Sequence, residues 1–363
     1  MTSVYILNQE LNIVGVLDEY VSLIWRPAYY GIGDFELYLS ASRKNLELLQ
    51  ADRYIVRSSD ISIDSEGKAT YSKVMIIKNL QITTDIENGN YLTVTGRELK
   101  YLLNKRIVWN QTNLKGTVED SIRRLVDENA INPTDTKRII PNLVLGAKSG
   151  LTKTLTKQVR GDYLDDAIIN ICTSYNYGWD VFIYDGKLVF IIYEGLDCSY
   201  NQNIRPYVVF SPKFDNIYTT DYQLMTEGYA NTALIAGEGE GTARKTTTIN
   251  DSFSGLARSE IFVDARDLSQ NSDSSEASEI ISDSDYINLL KERGAEKIAE
   301  LAATEGFSGE ILSDVTFKYG TDFDLGDIVT VINEYGISRE VRVLSAIESE
   351  DAEGIKLIPE FNI

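Results

Sequence analysis

Over residues 1–110 apolar side chains alternate with polar ones in short runs, the period of a half-buried strand. "SVYILN", "IVGVLD", "SLIWRP", "FELYLS", "YIVRSS", "YSKVMIIKNLQITT" and "YLTVTG" are such runs, rich in β-branched and aromatic residues. Turn residues separate them: Pro27, Gly31, Gly33, "DSEGK" and "ENGN", whose Asn-Gly pair favours a tight hairpin. One short helix is predicted near Arg43 to Gln50. The pattern predicts an all-β barrel or sandwich over 1–110.

At residue 111 the period changes. "GTVEDSIRRLVDENAI" opens with Thr117 and Asp120 at capping-box spacing, and Val118, Ile122, Leu125 and Val126 recur at helical intervals. "GDYLDDAIINICTSYN" repeats the design, with Asp162 as the expected N-cap and Leu164, Ile168, Ile171, Cys172 and Tyr175 as its stripe. "WDVFIYDGKLVFIIYEG" then reads as a hairpin turning at Asp185-Gly186. Residues 111–200 are expected to form a small α+β domain.

Residues 201–363 return to strands: "YVVFSP", "NTALIAG", "KTTTIN" and "RSEIFVDAR", then "GEILSDVTF", "GDIVTVINEYGISREVRVLSAI" and "GIKLIPEF". Between them "SDYINLLKERGAEKIAELAA" predicts one amphipathic helix, despite Gly294 in its interior. The serine-rich acidic stretch 267–285 holds no Lys or Arg and reads as a solvated loop.

Composition narrows the chemistry. Thirty-five basic and 55 acidic residues give a formal charge of -20, which repels phosphate backbones and anionic membranes. There is no histidine, so a Ser-His-Asp triad, a Cys-His pair and a His-ligated zinc are all excluded. Cys172 and Cys198 make no disulfide framework and are read as free thiols. The N-terminus lacks the basic and apolar regions of a signal peptide, and no run reaches the roughly 18 apolar residues of a membrane span. The expectation is a chain made in a cytoplasm with no membrane anchor.

Four stretches invite a chemical reading. "LIAGEGEGTARKTTTI" has Gly237, Gly239 and Gly241, then Arg244 and Lys245, the ingredients of a phosphate loop. Walker spacing is missing, a β-branched run follows where a helix should start, and Glu238 and Glu240 would repel the anion. It reads as a link between strands. "GTDFDLGDIVTV" offers Asp322, Asp324 and Asp327 to calcium, but Gly326 and the strand that follows break the EF-hand pattern, leaving a turn. In "TGRELKYLLNKRIV" Arg97 and Glu98 read as a structural ion pair before a helix that buries Leu99, Leu102 and Leu103. The acids Asp162, Asp165 and Asp166, and Asp18 with Glu19, are the candidates for a glycosidase pair. Trp25, Trp109 and Trp179 are the platforms a carbohydrate-binding module would need; beside strand and helix signals, all three read as core. No catalytic, cofactor-binding or metal-ligating residue is assigned.

In order along the chain stand "LIWRPAYYGIGDFELYLSAS", "TVTGRELKYLLNKRIV", "ALIAGEGEGTARKTTT" and "DFDLGDIVTVINEYGISREVRVLSAI". This series resembles the tail-hub, or tail-associated, proteins of long non-contractile-tailed phages and prophages, and more distantly the central baseplate hub of contractile-tailed phages. The signature positions are Trp25, Phe35, Gly96, Arg97, Gly237, Gly239, Gly241, Arg244, Gly326 and Asp327. The resemblance implies a mainly β fold with α+β insertions: two tail-tube-like β-barrel domains (1–110 and 201–363) and the small domain 111–200. It also implies a homotrimeric ring in the virion, closing the tube and meeting the distal tail protein, the tape-measure protein and receptor-binding or fibre proteins. DNA would pass through without specific binding, with no cofactor and no catalysis. Assembly would occur in the host bacterial cytoplasm. Ending at "KLIPEFNI", the chain is expected to leave hydrolase and fibre activities to other chains, and the stretch 267–285 stands outside the family pattern. A carboxylate-based cell-wall or glycan hydrolase, or a carbohydrate-binding module, is the alternative.

Overall fold

Alternation is realised strand by strand: along Asp34–Ser40, Phe35, Leu37 and Leu39 are buried while Glu36 and Ser40 face water. The computed structural model describes residues 1–86, 89–270, 281–301, 304–309, 311 and 316–362. Its first part holds β1 (Val4–Leu7), β2 (Ile13–Leu17), β3 (Ser22–Arg26), β4 (Asp34–Ser40), α1 (Arg43–Leu48), β5 (Tyr54–Arg57), β6 (Ile61–Ile63), β7 (Ala69–Tyr71), β8 (Met75–Asp85) and β9 (Gly89–Glu98). Then come β10 (Thr112–Thr117), α2 (Val118–Val126), β11 (Leu143–Leu145), β12 (Thr154–Val159), α3 (Leu164–Tyr175), β13 (Gly178–Tyr184) and β14 (Lys187–Tyr193). The last part holds β15 (Val209–Phe210), β16 (Asp221–Met225), β17 (Thr232–Ala236), β18 (Thr246–Ile249), β19 (Glu260–Asp264) and α4 (Asp283–Glu300). It ends with β20 (Thr304–Ser308), β21 (Ile328–Ile332), β22 (Ser338–Asp351) and β23 (Gly354–Asn362).

The fold class is the expected one, mainly β with α+β insertions. The strand path is β16-β20-β23-β22-β3-β4-β9-β8-β5-β1-β2, with β21 and β15 branching from β22. Among the described residues this path is open, so two closed barrels are replaced by one long sheet with edges at β2 and β16. The join is β22, which is long enough to pair with β21 at its start, with β23 along most of its length and with β3 at Glu348–Glu350.

Among the described residues the buried apolar side chains form four cores, three of them on this sheet. Val4, Ile6, Trp25, Phe35 and Leu37 fill one face of the N-terminal part. The other face, through Leu7, Tyr54, Val56 and Ile76, joins the core of the α+β lobe with α2, α3, β13 and β14. That explains why β5 is buried at all four positions: it is covered on both faces. A third core joins β15, β21, β22 and β23, and a fourth sits between α4 and the small sheet β18-β17-β19. Strands β6 and β7, from within residues 1–110, extend the sheet β11-β14-β13 of the α+β lobe.

Most local readings hold. Thr117 caps α2, its Oγ1 accepting from the Asp120 amide at 3.1 Å. β13 and β14 turn at Asp185-Gly186, both with positive φ. Three readings need correction. α3 is capped at Tyr163, not Asp162, because the chain is still extended there, bridged to Ile107. Arg97 and Glu98 do not pair: adjacent strand residues point to opposite faces, so Arg97 reaches Asp34 (3.6 Å) and Glu98 reaches Lys100 (3.1 Å). Trp109 is at the surface, 62% exposed, whereas Trp25 and Trp179 are buried as expected. Of the stretch 267–285, residues 271–280 lie outside the described residues, as do two residues of "ENGN".

Candidate functional site

The signature residues gather at joints. Trp25 lies opposite Phe35 across β3 and β4, with ring centroids 5.7 Å apart, and Phe35 lies opposite Gly96 on β9. A side chain at 96 cannot fit, since its Cβ would sit 1.8 Å from the Ile76 carbonyl oxygen and 2.6 Å from the Phe35 ring. On its other side Trp25 faces Glu348 of β22. The row Gly96–Phe35–Trp25 therefore runs up to the seam between the N- and C-terminal parts. One position along, Arg97, Asp34 and Arg26 form a parallel row in which Asp34 binds both arginines.

Glu348 also accepts from Arg57 Nη2 at 2.8 Å, while Arg57 Nε holds Asp60 at 2.6 Å. The Arg57 guanidinium lies 5.1 Å from the centre of the Trp25 ring. Burial pushes the Asp60 carboxyl up, and the adjacent guanidinium pulls it back.

Gly326 and Asp327 fix the second joint. Gly326 has a φ of 87°, and a Cβ there would lie 2.2 Å from the Tyr29 ring. Its amide donates to the Val343 carbonyl at 2.8 Å. Asp327 accepts from the Leu196 and Asp324 amides at 2.7 and 2.9 Å. The stretch 320–331 is thus a turn entering β21, as expected. Among the described residues no cluster of three or more carboxylates and thiols is disposed to hold a metal ion.

The glycine-rich loop joins β17 to β18, as read from the sequence. Gly237 packs under the Tyr286 hydroxyl of α4, and Gly239 and Gly241 take positive φ. Arg244 donates to the Ala236 and Gly237 carbonyls, each at 2.8 Å, and pairs with Asp264. Lys245 reaches Gln270 at 2.6 Å and Asp283 at 2.7 Å. Both cations therefore serve the chain's own fold.

Between the lobes lies a cavity of about 760 Å³. Lys100 is buried at its wall, 3.1 Å from Glu98, and donates to the Ala28 carbonyl. Glu98 also accepts from the Gly33 amide at 2.6 Å; burial raises its carboxyl above the ordinary range and Lys100 opposes this. Lys73 approaches the Tyr319 ring to 4.1 Å and Asp324 to 3.8 Å. The cavity carboxylates Glu98 and Asp60 are thereby held by cations of their own segment, Lys100 and Arg57, while Asp327 accepts from the Leu196 amide of the neighbouring lobe. Of the acid clusters singled out in the sequence, Asp165 is buried and accepts from Asn104 at 3.0 Å. Asp162, Asp18 and Glu19 are exposed. The structure does not bring the two clusters together as a pair in this cavity. The ion pair Arg57–Glu348 was missed in the sequence because its residues lie 291 positions apart, and Lys100–Glu98 because Glu98 was read against Arg97 within the same motif.

The family model described as Siphovirus ReqiPepy6 Gp37-like protein matches residues 3–361. Among solved structures, a tail protein from Neisseria meningitidis MC58 is similar over 100% of this chain and 96% of its own, with a TM-score of 0.59 and 15% identity. The prophage MuSo2 43 kDa tail protein from Shewanella oneidensis is similar over 99% of this chain and 98% of its own, with a TM-score of 0.58 and 11% identity. At these identities the likeness is one of fold. No curated protein matches the sequence significantly.

Proposed function

Because the chain belongs to the Siphovirus ReqiPepy6 Gp37-like protein family of phage tails, we propose that this tail component is the hub of a tail tip. In this reading three copies form a ring that closes the tube and joins it to host-recognition parts. The observation that carries it is the extent of the match: residues 3–361 are matched as one unit in a strongly acidic chain. Residues 1–110 and 201–363 act as two tube-like hub domains, with 111–200 as the smaller domain between them. Trp25, Phe35, Gly96, Arg97, Gly326 and Asp327 set the angle between these parts, and Gly237, Gly239, Gly241 and Arg244 shape the β17–β18 link.

The charge fits a conduit. A wall lined by Asp and Glu holds DNA away over about a Debye length, roughly 8 Å at physiological salt, so the genome slides without binding. The partners in this reading are the distal tail protein, the tape-measure protein and receptor-binding or fibre proteins. Its place is the virion, with assembly in the host cytoplasm. Among the described residues no helix is long and apolar enough to cross a membrane.

Imaging of the assembled tail tip tests the reading: three copies around an acidic channel are expected. A neutral or basic channel would remove the DNA-guiding role, and turnover of cell-wall glycan by the purified chain would replace the structural reading with an enzymatic one.

A further inference from the structure

Trp109 is the one tryptophan that the fold leaves in water, yet it is held in place. Its amide donates to Asn129 Oδ1 at 3.1 Å, and Asn129 is itself buried. The Arg138 guanidinium lies 5.1 Å from the centre of the indole ring. It donates to the same Asn129 oxygen at 3.4 Å and to the Ile107 carbonyl at 2.6 Å. Arg106 donates to the backbone carbonyls of Lys105, Arg138 and Ile139. Among the described residues no carboxylate comes within ion-pair distance of Arg106 or Arg138. Lys137 and Ile139, both exposed, flank Arg138. A fixed indole and an isoleucine, ringed by cations that the chain does not neutralise, have the composition and rigidity of an interface anchor.

This basic surface is exceptional in the chain. Residues 100–160 hold 12 Lys and Arg against 5 Asp and Glu, whereas the remainder holds 23 against 50. Copies of one chain thus carry both signs of charge on separate surfaces. Complementarity favours a contact between the basic part of one copy and the acidic remainder of another.

One acidic corner has the matching chemistry. β2 ends the strand path of the long sheet, an open edge among the described residues, and its Val14 and Val16 are exposed. Asp18 and Glu19 follow, both exposed, in the turn to β3, where Val21 is 43% exposed. The β22–β23 turn lies alongside, because Glu350 pairs with Leu23 and accepts from the Tyr20 hydroxyl at 2.9 Å. That turn adds Asp351 and Glu353. Among the described residues no Lys or Arg comes within ion-pair distance of these four acids. Within one chain the two patches stand apart. Leu11 and Arg106 line one cleft, and Asp18 lies beyond Leu11 by roughly 20 Å of mostly extended chain.

We propose that the Trp109 patch of one copy docks on the Asp18–Glu19 corner of the next. Trp109 and Ile139 cover Val16 and Val21, while Arg106, Lys137 and Arg138 face the acids. Two different patches meet, so the contact is heterologous and, repeated, closes into a ring when the rotation permits. This rests on the multi-copy hub reading and names the surfaces that build its ring.

Substitutions at exposed positions test the contact by sedimentation, with melting curves as the control for folding. Trp109→Ala should weaken association by about tenfold or more, as expected of an interface anchor, and Asp18→Lys with Glu19→Lys by a similar factor. Lys137→Glu should weaken it alone, yet add less than its own loss when combined with the two lysines. Cys172 and Cys198 are buried, which leaves introduced thiols as the reactive ones. Chains carrying Glu19→Cys, mixed with chains carrying Lys137→Cys and oxidised, should give mixed dimers, and the double variant a closed oligomer series. Wild-type oligomers indifferent to all these substitutions overturn the contact and leave the hub reading standing. A chain that stays monomeric at every concentration and gives no mixed disulfide also overturns the contact, and the image of the tail tip then decides the hub reading by itself. If Trp109→Ala instead abolishes binding of a fluorescent single-stranded oligonucleotide with the oligomer unchanged, the contact is overturned and the patch belongs to nucleic acid.

Discussion

Replacing Trp179 by alanine removes an indole that donates to the Tyr30 carbonyl at 2.6 Å and packs near Phe190. The expected cost is about 3–5 kcal/mol, read as a shift in the denaturant midpoint. Trp109→Ala should cost no more than about 0.5 kcal/mol, because that ring is held at the surface under Arg138. The two residues look alike in sequence, each set beside an apolar run. What separates them is a guanidinium 29 residues away, which a local pattern does not register. Asp52 carries a pH signature. The Lys78 hydrogen bond holds its carboxyl below the ordinary aspartate range, so folding gains stability above the unfolded pKa and loses it as pH falls through the folded one. Asp52→Asn should thus lower stability near neutral pH by at most about 1 kcal/mol, because solvent screens a half-exposed group, and the difference from wild type should vanish in acid. Stability curves of the two proteins against pH check this.

Gly294 shows how an element can contradict its own propensities. A mid-helix glycine costs about 1 kcal/mol against alanine, so Gly294→Ala would stabilise an isolated α4. In the fold a Cβ there would stand 2.6 Å from the Ile235 side chain of β17. The substitution should therefore destabilise the chain by roughly 1–3 kcal/mol, and Ile235→Ala, costly by itself because Ile235 is buried, should cost less beside Gly294→Ala than alone. Calorimetry of the single and double variants separates helix propensity from crowding. The existence of α4, of the Thr117 cap and of the Asp185-Gly186 hairpin was legible, since each rests on residues close in sequence. The start of α3 was not, because a bridge to Ile107 keeps residue 163 extended. Lys100 belongs at this scale too. It reaches the Ala28 and Trp179 carbonyls as well as Glu98, tying the helical turn after β9 to β13. Lys100→Met should leave Glu98 charged and unmatched, at a cost of about 3–5 kcal/mol in denaturant unfolding.

At the scale of the molecule, the period of the sequence suggested three regions but not that strands of the first and the last share one sheet. β22 alternates as far as Val343, slips register between Val343 and Ser345, and goes on to pair with β3, and nothing in "SREVRVLSAIESED" says which strand its second half will meet. The tail-tip reading predicts that a solution mass well above 40.7 kDa, the mass of one chain, accompanies function. If oppositely charged surfaces build the ring, added salt should shift that mass downward. The seam between β3 and β22 has a temporal consequence. It pairs the twenties of the chain with residues near 350, and a hydrogen bond from Tyr20 to Glu350 spans 330 positions. At about 5–20 residues per second, a ribosome would present β3 with one open edge for some fifteen to sixty seconds before β22 emerged. Until then the nascent N-terminal half is a sheet awaiting its last partner, and self-association during synthesis is the hazard that this topology must outrun.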